Sequence, residues 1–129
     1  MIESGLYLVA LKNQEPISVN AHDPRIAERC IKVNRLNCKV GKAANLNGRE
    51  RNYWKTFGAE NVIFIPIAYV KEFAAAERVA LERLSQWRVR GRTGRKNEWL
   101  CRIKPDEVIG LVLAALSDSG ISFNRASES

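Results

Sequence analysis

Arg49 and Glu77 are charged residues that fall on the apolar faces of two predicted helices. Neighbours on a helix are about 100° apart, so Arg49 lies in one stripe with Tyr53 and Phe57. Glu77 lies beside Phe73 in the same way on the next helix. An ionised side chain that leaves water needs an opposite charge or a cation. Arg49 could therefore hold a phosphate, and Glu77 could hold Mg²⁺, which needs only one or two protein carboxylates.

The same two residues have a simpler interpretation, which is a buried Arg49–Glu77 ion pair that only joins the helices. Two other charged residues of the same helices are predicted to differ from Arg49 and Glu77. Arg51 falls on the opposite side of its helix from Arg49, and Glu82 falls on the opposite side from Glu77, so both are predicted to be ordinary surface residues.

Residues 39–53, KVGKAANLNGRERNY, predict the end of a strand, a glycine turn and a helix. The order and spacing of Gly41, Arg49 and Tyr53 make this run similar to the second half of the GIY-YIG nuclease motif. The first half would be the Gly-Leu-Tyr tripeptide that ends at Tyr7, at the start of an apolar strand. The resemblance covers roughly residues 5–100 and is to the phage-type branch, which reads Lys-Val-Gly in the second motif.

The resemblance implies the catalytic residues Tyr7, Lys39, Arg49, Tyr53 and Glu77. Glu77 would bind Mg²⁺ or Mn²⁺, and Tyr53 would contact a substrate phosphate. Lys39 stands where the family usually has tyrosine. An ammonium next to a phenol lowers the pKa of the phenol, so Lys39 could prepare Tyr7 to act as a general base.

Each position also has an ordinary structural interpretation. Tyr7 and Tyr53 could be packing residues of the core, and Lys39 could be a solvated residue at a strand end. Gly41 allows either a positive φ or a close approach of other atoms to the backbone. Trp99 is expected to fill the core rather than to stack on bases.

A second group of basic residues is predicted to bind substrate phosphates. Lys42 follows the glycine of the motif, and the segment 88–96, RVRGRTGRK, is predicted to be a basic loop with interspersed glycines. A run of charges is usually a solvated face, but the net charge of +7 favours a polyanionic partner such as nucleic acid. The predicted phosphate-binding residues are Lys42, Arg88, Arg90, Arg92, Arg95 and Lys96.

The composition limits the class of protein. The 129 residues fit one domain, and an apolar content of 46% is that of a globular chain. Three cysteines with one histidine and no Cys-x-x-Cys pair predict neither a disulfide framework nor a zinc site. No apolar run approaches the roughly 18 residues of a membrane span, and no basic leader is present, so a cytoplasmic protein is expected.

The predicted fold is a small α/β sandwich, in which a three-stranded, mainly antiparallel sheet is flanked by helices. Strands are predicted at 5–11, in pieces over 31–41, and at 62–70, where Pro66 indicates an edge or a bulge. Helices are predicted at 45–57, 71–88 and 105–117, with a short helix at 24–30 and an extended piece at 97–103. Residues 1–118 form a single domain with an insertion at about 12–37, and residues 119–129 form a flexible tail.

The function predicted from these features is metal-dependent endonuclease activity on DNA. Two alternatives stay open. The chain could be a DNA-binding regulator that keeps the scaffold without cleaving, which an Arg49–Glu77 pair without an open cleft would favour. It could also be an RNA-binding α/β protein, which exposed aromatic residues on a sheet face would favour.

Overall fold

The computed structural model describes residues 2–19, 32–90 and 96–126 as a mixed α/β fold. Its helices are α1 (Leu46–Phe57), α2 (Phe73–Arg83) and α3 (Pro105–Asp118), with short 3-10 turns at Ala59–Asn61 and Ser85–Trp87. Its strands are β1 (Gly5–Leu11), β2 (Ile17–Ser18), β3 (Lys32–Val33), β4 (Cys38–Ala43), β5 (Val62–Tyr69), β6 (Arg88–Arg90), β7 (Lys96–Leu100) and β8 (Asn124–Arg125).

The main sheet has six strands in the order β6-β7-β4-β1-β5-β8, and all the pairs are antiparallel. The prediction of three strands is therefore wrong in number, although the three predicted strands are the adjacent centre β4-β1-β5. The outer strands come from segments whose sequence lacks a clear alternating pattern. β2 and β3 pair separately as a small two-stranded sheet within the segment predicted as an insertion.

β1 is the central strand of the core, and all seven of its residues are buried. Its side chains alternate between the two faces of the sheet. Leu6 and Leu8 pack with residues of α2 and α3, whereas Tyr7 and Val9 pack with residues of α1. The sheet is thus covered by helices on both faces, which makes a three-layer sandwich and places Tyr7 beneath α1.

Local sequence explains where α1 begins and ends. The Asn45 side chain accepts a hydrogen bond from the Gly48 backbone N–H at 3.1 Å, which is the usual role of an asparagine at the N-cap. Gly58 adopts a φ of 91° and its N–H bonds to the Trp54 carbonyl, which is the conformation that favours glycine after a helix. These two caps fix the ends of α1, the helix that carries Arg49 and Tyr53.

The expected irregularity at Pro66 is a bulge. Leu6 pairs with Ala68 while Tyr7 pairs with Pro66, so Ile67 is an extra residue on β5. Because proline cannot donate a ladder hydrogen bond, it is tolerated at such a position.

Other boundaries differ from those predicted. α2 ends at Arg83 rather than at 88, and part of the predicted basic loop 88–96 forms β6 and the start of β7. In the predicted tail, β8 pairs with β5 and the Ala126 N–H bonds to the Ile67 carbonyl, which anchors the segment as far as 126. The short helix expected at 24–30 lies outside the described residues. In the described part of the chain, no helix has the length and apolar character to cross a membrane.

Candidate functional site

Two phenols form the buried centre of the candidate site. The hydroxyl oxygens of Tyr7 on β1 and Tyr53 on α1 lie 2.8 Å apart, and the two rings meet edge to face with centroids 5.6 Å apart. Tyr7 is 1% exposed and Tyr53 is 8% exposed. The structure therefore brings together two residues that the resemblance assigned to one site, and one hydroxyl donates a hydrogen bond to the other.

The Tyr7 ring is held between a strand and an aromatic side chain. On one side lies Gly41, which pairs with Tyr7 across β1 and β4. A Cβ atom added at Gly41 would overlap the Tyr7 hydroxyl and ring. On the other side, Phe64 stacks on Tyr7 with ring centroids 4.8 Å apart. Gly41 does not adopt a positive φ, so of its two predicted roles the structure supports close approach, and the approaching group is the Tyr7 ring.

Lys39 joins the phenol pair to a carboxylate. Its ammonium lies 5.4 Å from the centroid of the Tyr53 ring and 3.7 Å from a carboxylate oxygen of Glu98 on β7. Lys39 is half-buried rather than solvated, so its interpretation as an ordinary strand-end residue is wrong. Among the described residues, β4 and β7 pair at Cys38–Leu100 and at Lys39–Trp99 but no further. Glu98 lies next to Trp99, where the two strands begin to separate.

Glu77 lies next to Glu98 and is paired with a lysine. Its carboxylate is 3.6 Å from the ammonium of Lys42, and its side chain is only 12% exposed. Burial raises the pKa of Glu77, and the negative charge of Glu98 raises it further, while Lys42 opposes both effects. The predicted Arg49–Glu77 ion pair is not found among the described residues, since Glu77 pairs with Lys42 instead.

Burial also dominates the acidity of both phenols. It raises the pKa of Tyr7 well above 10, an effect that Tyr53 increases and that the positive charges of Lys39 and Arg49 only partly offset. It raises the pKa of Tyr53 to about 12. Lys39 lowers the pKa of Tyr7, as expected, but burial raises that pKa by more, so the net change is upward.

Arg49 was expected to be buried or half-buried, and it is exposed. Its positive charge still acts on both phenols, which places the guanidinium at the edge of the site. Arg49 lines an open groove of about 430 Å³ along α1, and Arg51 lines the same groove. Arg51 is exposed, as predicted for a surface residue.

Most of the basic segment 88–96 lies outside the described residues. Arg88 is half-buried and begins β6, where it pairs with Leu100. Arg92 and Arg95 lie outside the described residues, and so do the side chains of Arg90 and Lys96.

Glu98 is the functional candidate that the sequence analysis missed. It interacts with Lys39, Glu77 and Tyr53, and so connects both halves of the site. Its only signal in the sequence is its place before Trp99, which is buried and packs against Phe57 as the predicted core residue. Nothing in the periodicity distinguishes Glu98 from a surface residue of an edge strand.

A comparison of the chain with known proteins finds no matching family model, no matching curated protein and no matching solved structure. The arguments for function thus rest on the residues of the site and on their geometry.

Proposed function

We propose that this protein is a metal-dependent endonuclease that hydrolyses phosphodiester bonds in DNA. One observation carries the proposal, namely that a phenol pair, a half-buried lysine, an exposed arginine and two carboxylates converge from separate elements of the fold. Phosphodiester hydrolysis needs an activated water, neutralisation of charge on the phosphoryl oxygens and help for the leaving oxygen. The converging residues are Tyr7, Lys39, Arg49, Tyr53, Glu77 and Glu98.

Glu77 and Glu98 together fit the donor set of Mg²⁺ or Mn²⁺. Mg²⁺ takes oxygen ligands and is usually held by one or two carboxylates, with waters and a phosphate oxygen in the other positions. In the described part of the chain, no group of three or more His, Cys, Asp or Glu residues that could hold a metal ion is found. Glu77 and Glu98 are therefore the two carboxylates proposed to bind the metal ion. A bound divalent cation would neutralise charge on the phosphoryl oxygens. It would also relieve the repulsion that raises the pKa of Glu77.

Arg49 is the residue suited to hold the scissile phosphate. Its guanidinium is exposed, forms no ion pair with a described residue, and acts electrostatically on both phenols. A guanidinium can bind two phosphate oxygens at once. Arg49 would thus place the phosphate between the phenol pair and the carboxylates.

Tyr7 is proposed as the base that takes a proton from the attacking water, with Tyr53 as its hydrogen-bond partner. A phenol with a raised pKa is protonated at neutral pH, so its ionisation depends on nearby positive charge. Lys39 and Arg49 both act in that direction on Tyr7. Lys39 is accordingly proposed as a positioning residue that lowers the pKa of Tyr7 against the larger, opposite effect of burial.

A DNA-binding regulator that does not cleave is a second candidate. The observation that favours it is the near-complete burial of the Tyr7 hydroxyl, which a purely structural hydrogen bond to Tyr53 would also produce. An RNA-binding function is less supported, because helices pack on both faces of the sheet that the described residues form, where exposed aromatic side chains would be needed to stack bases.

A plasmid-nicking assay tests the proposal. Supercoiled plasmid would be incubated with the wild-type protein in Mg²⁺, in Mn²⁺ and in chelator, and with the variants Glu77→Gln and Glu82→Gln. We expect nicking in either metal, loss of nicking in chelator and in Glu77→Gln, and normal nicking in Glu82→Gln, because Glu82 is exposed on the same helix. Wild-type protein that binds the plasmid without nicking it in either metal would establish the regulator instead.

A further inference from the structure

Among the described residues that line the open groove along α1, three carry a positive charge and none carries a carboxylate. Its lining consists of Ala43, Ala44, Asn45, Gly48, Arg49, Arg51, Asn52 and Lys55. Arg49, Arg51 and Lys55 are all exposed, and none forms an ion pair with a described residue. A protein surface with this much uncompensated positive charge attracts a polyanion.

The spacing along the helix explains why the side chains of Arg51 and Lys55 lie in one groove. Gly48, Arg51 and Lys55 follow one another at three and four residues, so they lie on one face of α1. Arg51 and Lys55, four residues apart, are separated by about 6 Å along the helix axis. Such a row of cations suits a linear polyanion better than a single small ion.

We infer that this groove binds the phosphodiester backbone of double-stranded DNA next to the site of cleavage, with Arg51 and Lys55 as its phosphate contacts. Arg49 lines the groove and lies about one helical turn from Tyr53 on α1, so the groove adjoins the phenol pair. The inference rests on the proposed DNA substrate, but it does not require that the DNA be cut.

The chemistry of the lining favours duplex backbone over a single strand. Proteins that hold single-stranded nucleic acid stack bases on aromatic side chains, and none of the described residues that line this groove is aromatic. Contacts with phosphates alone fix position and carry no sequence information.

The test is the salt dependence of DNA affinity, measured in chelator so that no cutting occurs. Fluorescence anisotropy with a labelled duplex would compare wild type with the double variant Arg51→Gln/Lys55→Gln. Lys71→Gln/Arg78→Gln is the matched control, because it removes the same charge from two exposed residues in or next to α2, which covers the other face of the sheet, and neither forms an ion pair with a described residue. Glutamine keeps the helix propensity high, so both variants should fold.

Each phosphate contact contributes about 0.9 to the slope of log K against log salt for duplex DNA, so we expect the groove variant to lose nearly two units of slope. Its loss of affinity should be equal on duplexes of unrelated sequence, and the control should lose much less. A groove variant that keeps the wild-type slope, or loses no more than the control, would overturn the inference, and so would wild type with no affinity for duplex DNA.

The nicking assay separates this inference from the proposed function. If the wild type binds duplex DNA through the groove but never nicks it, the endonuclease proposal fails and the groove stands. If the wild type nicks DNA and the groove variant keeps both its slope and its affinity, the groove proposal fails and the endonuclease stands.

Discussion

The hydroxyl oxygens of Tyr7 and Tyr53 lie 2.8 Å apart although the residues are 46 positions apart in the chain. One phenol comes from the central strand and the other from the capped helix above it. A buried hydroxyl without a partner is costly, so each phenol stabilises the position of the other. The pair therefore connects the packing of the core to the chemistry proposed for the site.

Replacing Tyr7 by Phe should abolish nicking, because the proposed base is removed. It should also lower the free energy of unfolding by about 1–3 kcal/mol, because the buried Tyr53 hydroxyl loses its partner. Tyr53→Phe should have a similar cost, and the double variant should cost less than the sum of the two. Urea unfolding of all four proteins measures the coupling, and strictly additive costs would mean that the hydroxyls do not bond to each other.

The raised pKa values of the two phenols predict a loss of stability at high pH. A phenol whose pKa is higher in the folded than in the unfolded chain contributes its full stability below the unfolded pKa, near 10, and loses it as the pH rises through the folded value. For Tyr53 that window runs from 10.0 to about 12. Urea unfolding at pH 9 and pH 11 should show a decrease in the wild type and a smaller decrease in Tyr7→Phe/Tyr53→Phe.

The central half of this fold follows from local signals in the sequence. The stretch of seven apolar residues in β1 predicts a strand buried on both faces, and the cap residues Asn45 and Gly58 bound α1 closely. The outer strands β6 and β8 carry no such signal. They are two or three residues long and are stabilised by pairing with a neighbour, which is a tertiary effect.

The candidate site, like the fold, could be predicted from the sequence only where local signals decide the structure. The helical periodicity places Tyr53 on the inward face of α1, as the structure confirms. It does not reveal that Lys42 would pair with Glu77, since that contact depends on how α2 packs across the sheet. It also could not predict that burial would outweigh Lys39 in setting the pKa of Tyr7, because the depth of a side chain is a property of the whole fold.

Replacing Glu77 by Gln should increase stability at neutral pH in the absence of divalent cations. The pKa of Glu77 is raised above its usual value of 4.5, so this carboxyl contributes its full stability below that value and loses it as the pH rises through the folded pKa. At pH 7 the variant should therefore have a higher Tm than the wild type. At pH 4 the difference should disappear, and Glu82→Gln should show no gain at either pH. Equal Tm values at pH 7 would argue against a raised pKa.

Replacing Gly41 by Ala should destabilise the fold and displace Tyr7. The added methyl group would overlap the Tyr7 ring, which cannot move freely because Phe64 stacks on its other side. Such overpacking costs about 1–3 kcal/mol. Gly110→Ala, in the middle of α3, is the matched control, because a Cβ added there meets no heavy atom of the described residues within 4 Å apart from its chain neighbours and the nearby backbone of its own helix. The control should gain about 0.5–1 kcal/mol, as expected for glycine to alanine inside a helix. If both variants lose stability alike, the tight contact between Gly41 and Tyr7 is wrong.

Replacing Arg49 by Ala should reduce turnover much more than DNA affinity. If its guanidinium stabilises charge that develops on the scissile phosphate, the rate at saturating DNA should fall by a factor on the order of 10² or more. Arg51→Ala should behave in the opposite way, since Arg51 lines the groove and no electrostatic effect of it on either phenol is found. It should weaken binding and leave the rate at saturation nearly unchanged. Single-turnover nicking over a range of protein concentrations separates the two effects. Equal losses of rate and affinity in Arg49→Ala would mean that Arg49 binds the DNA equally well in the ground state and in the transition state. Another group would then have to stabilise the charge that develops on the phosphate.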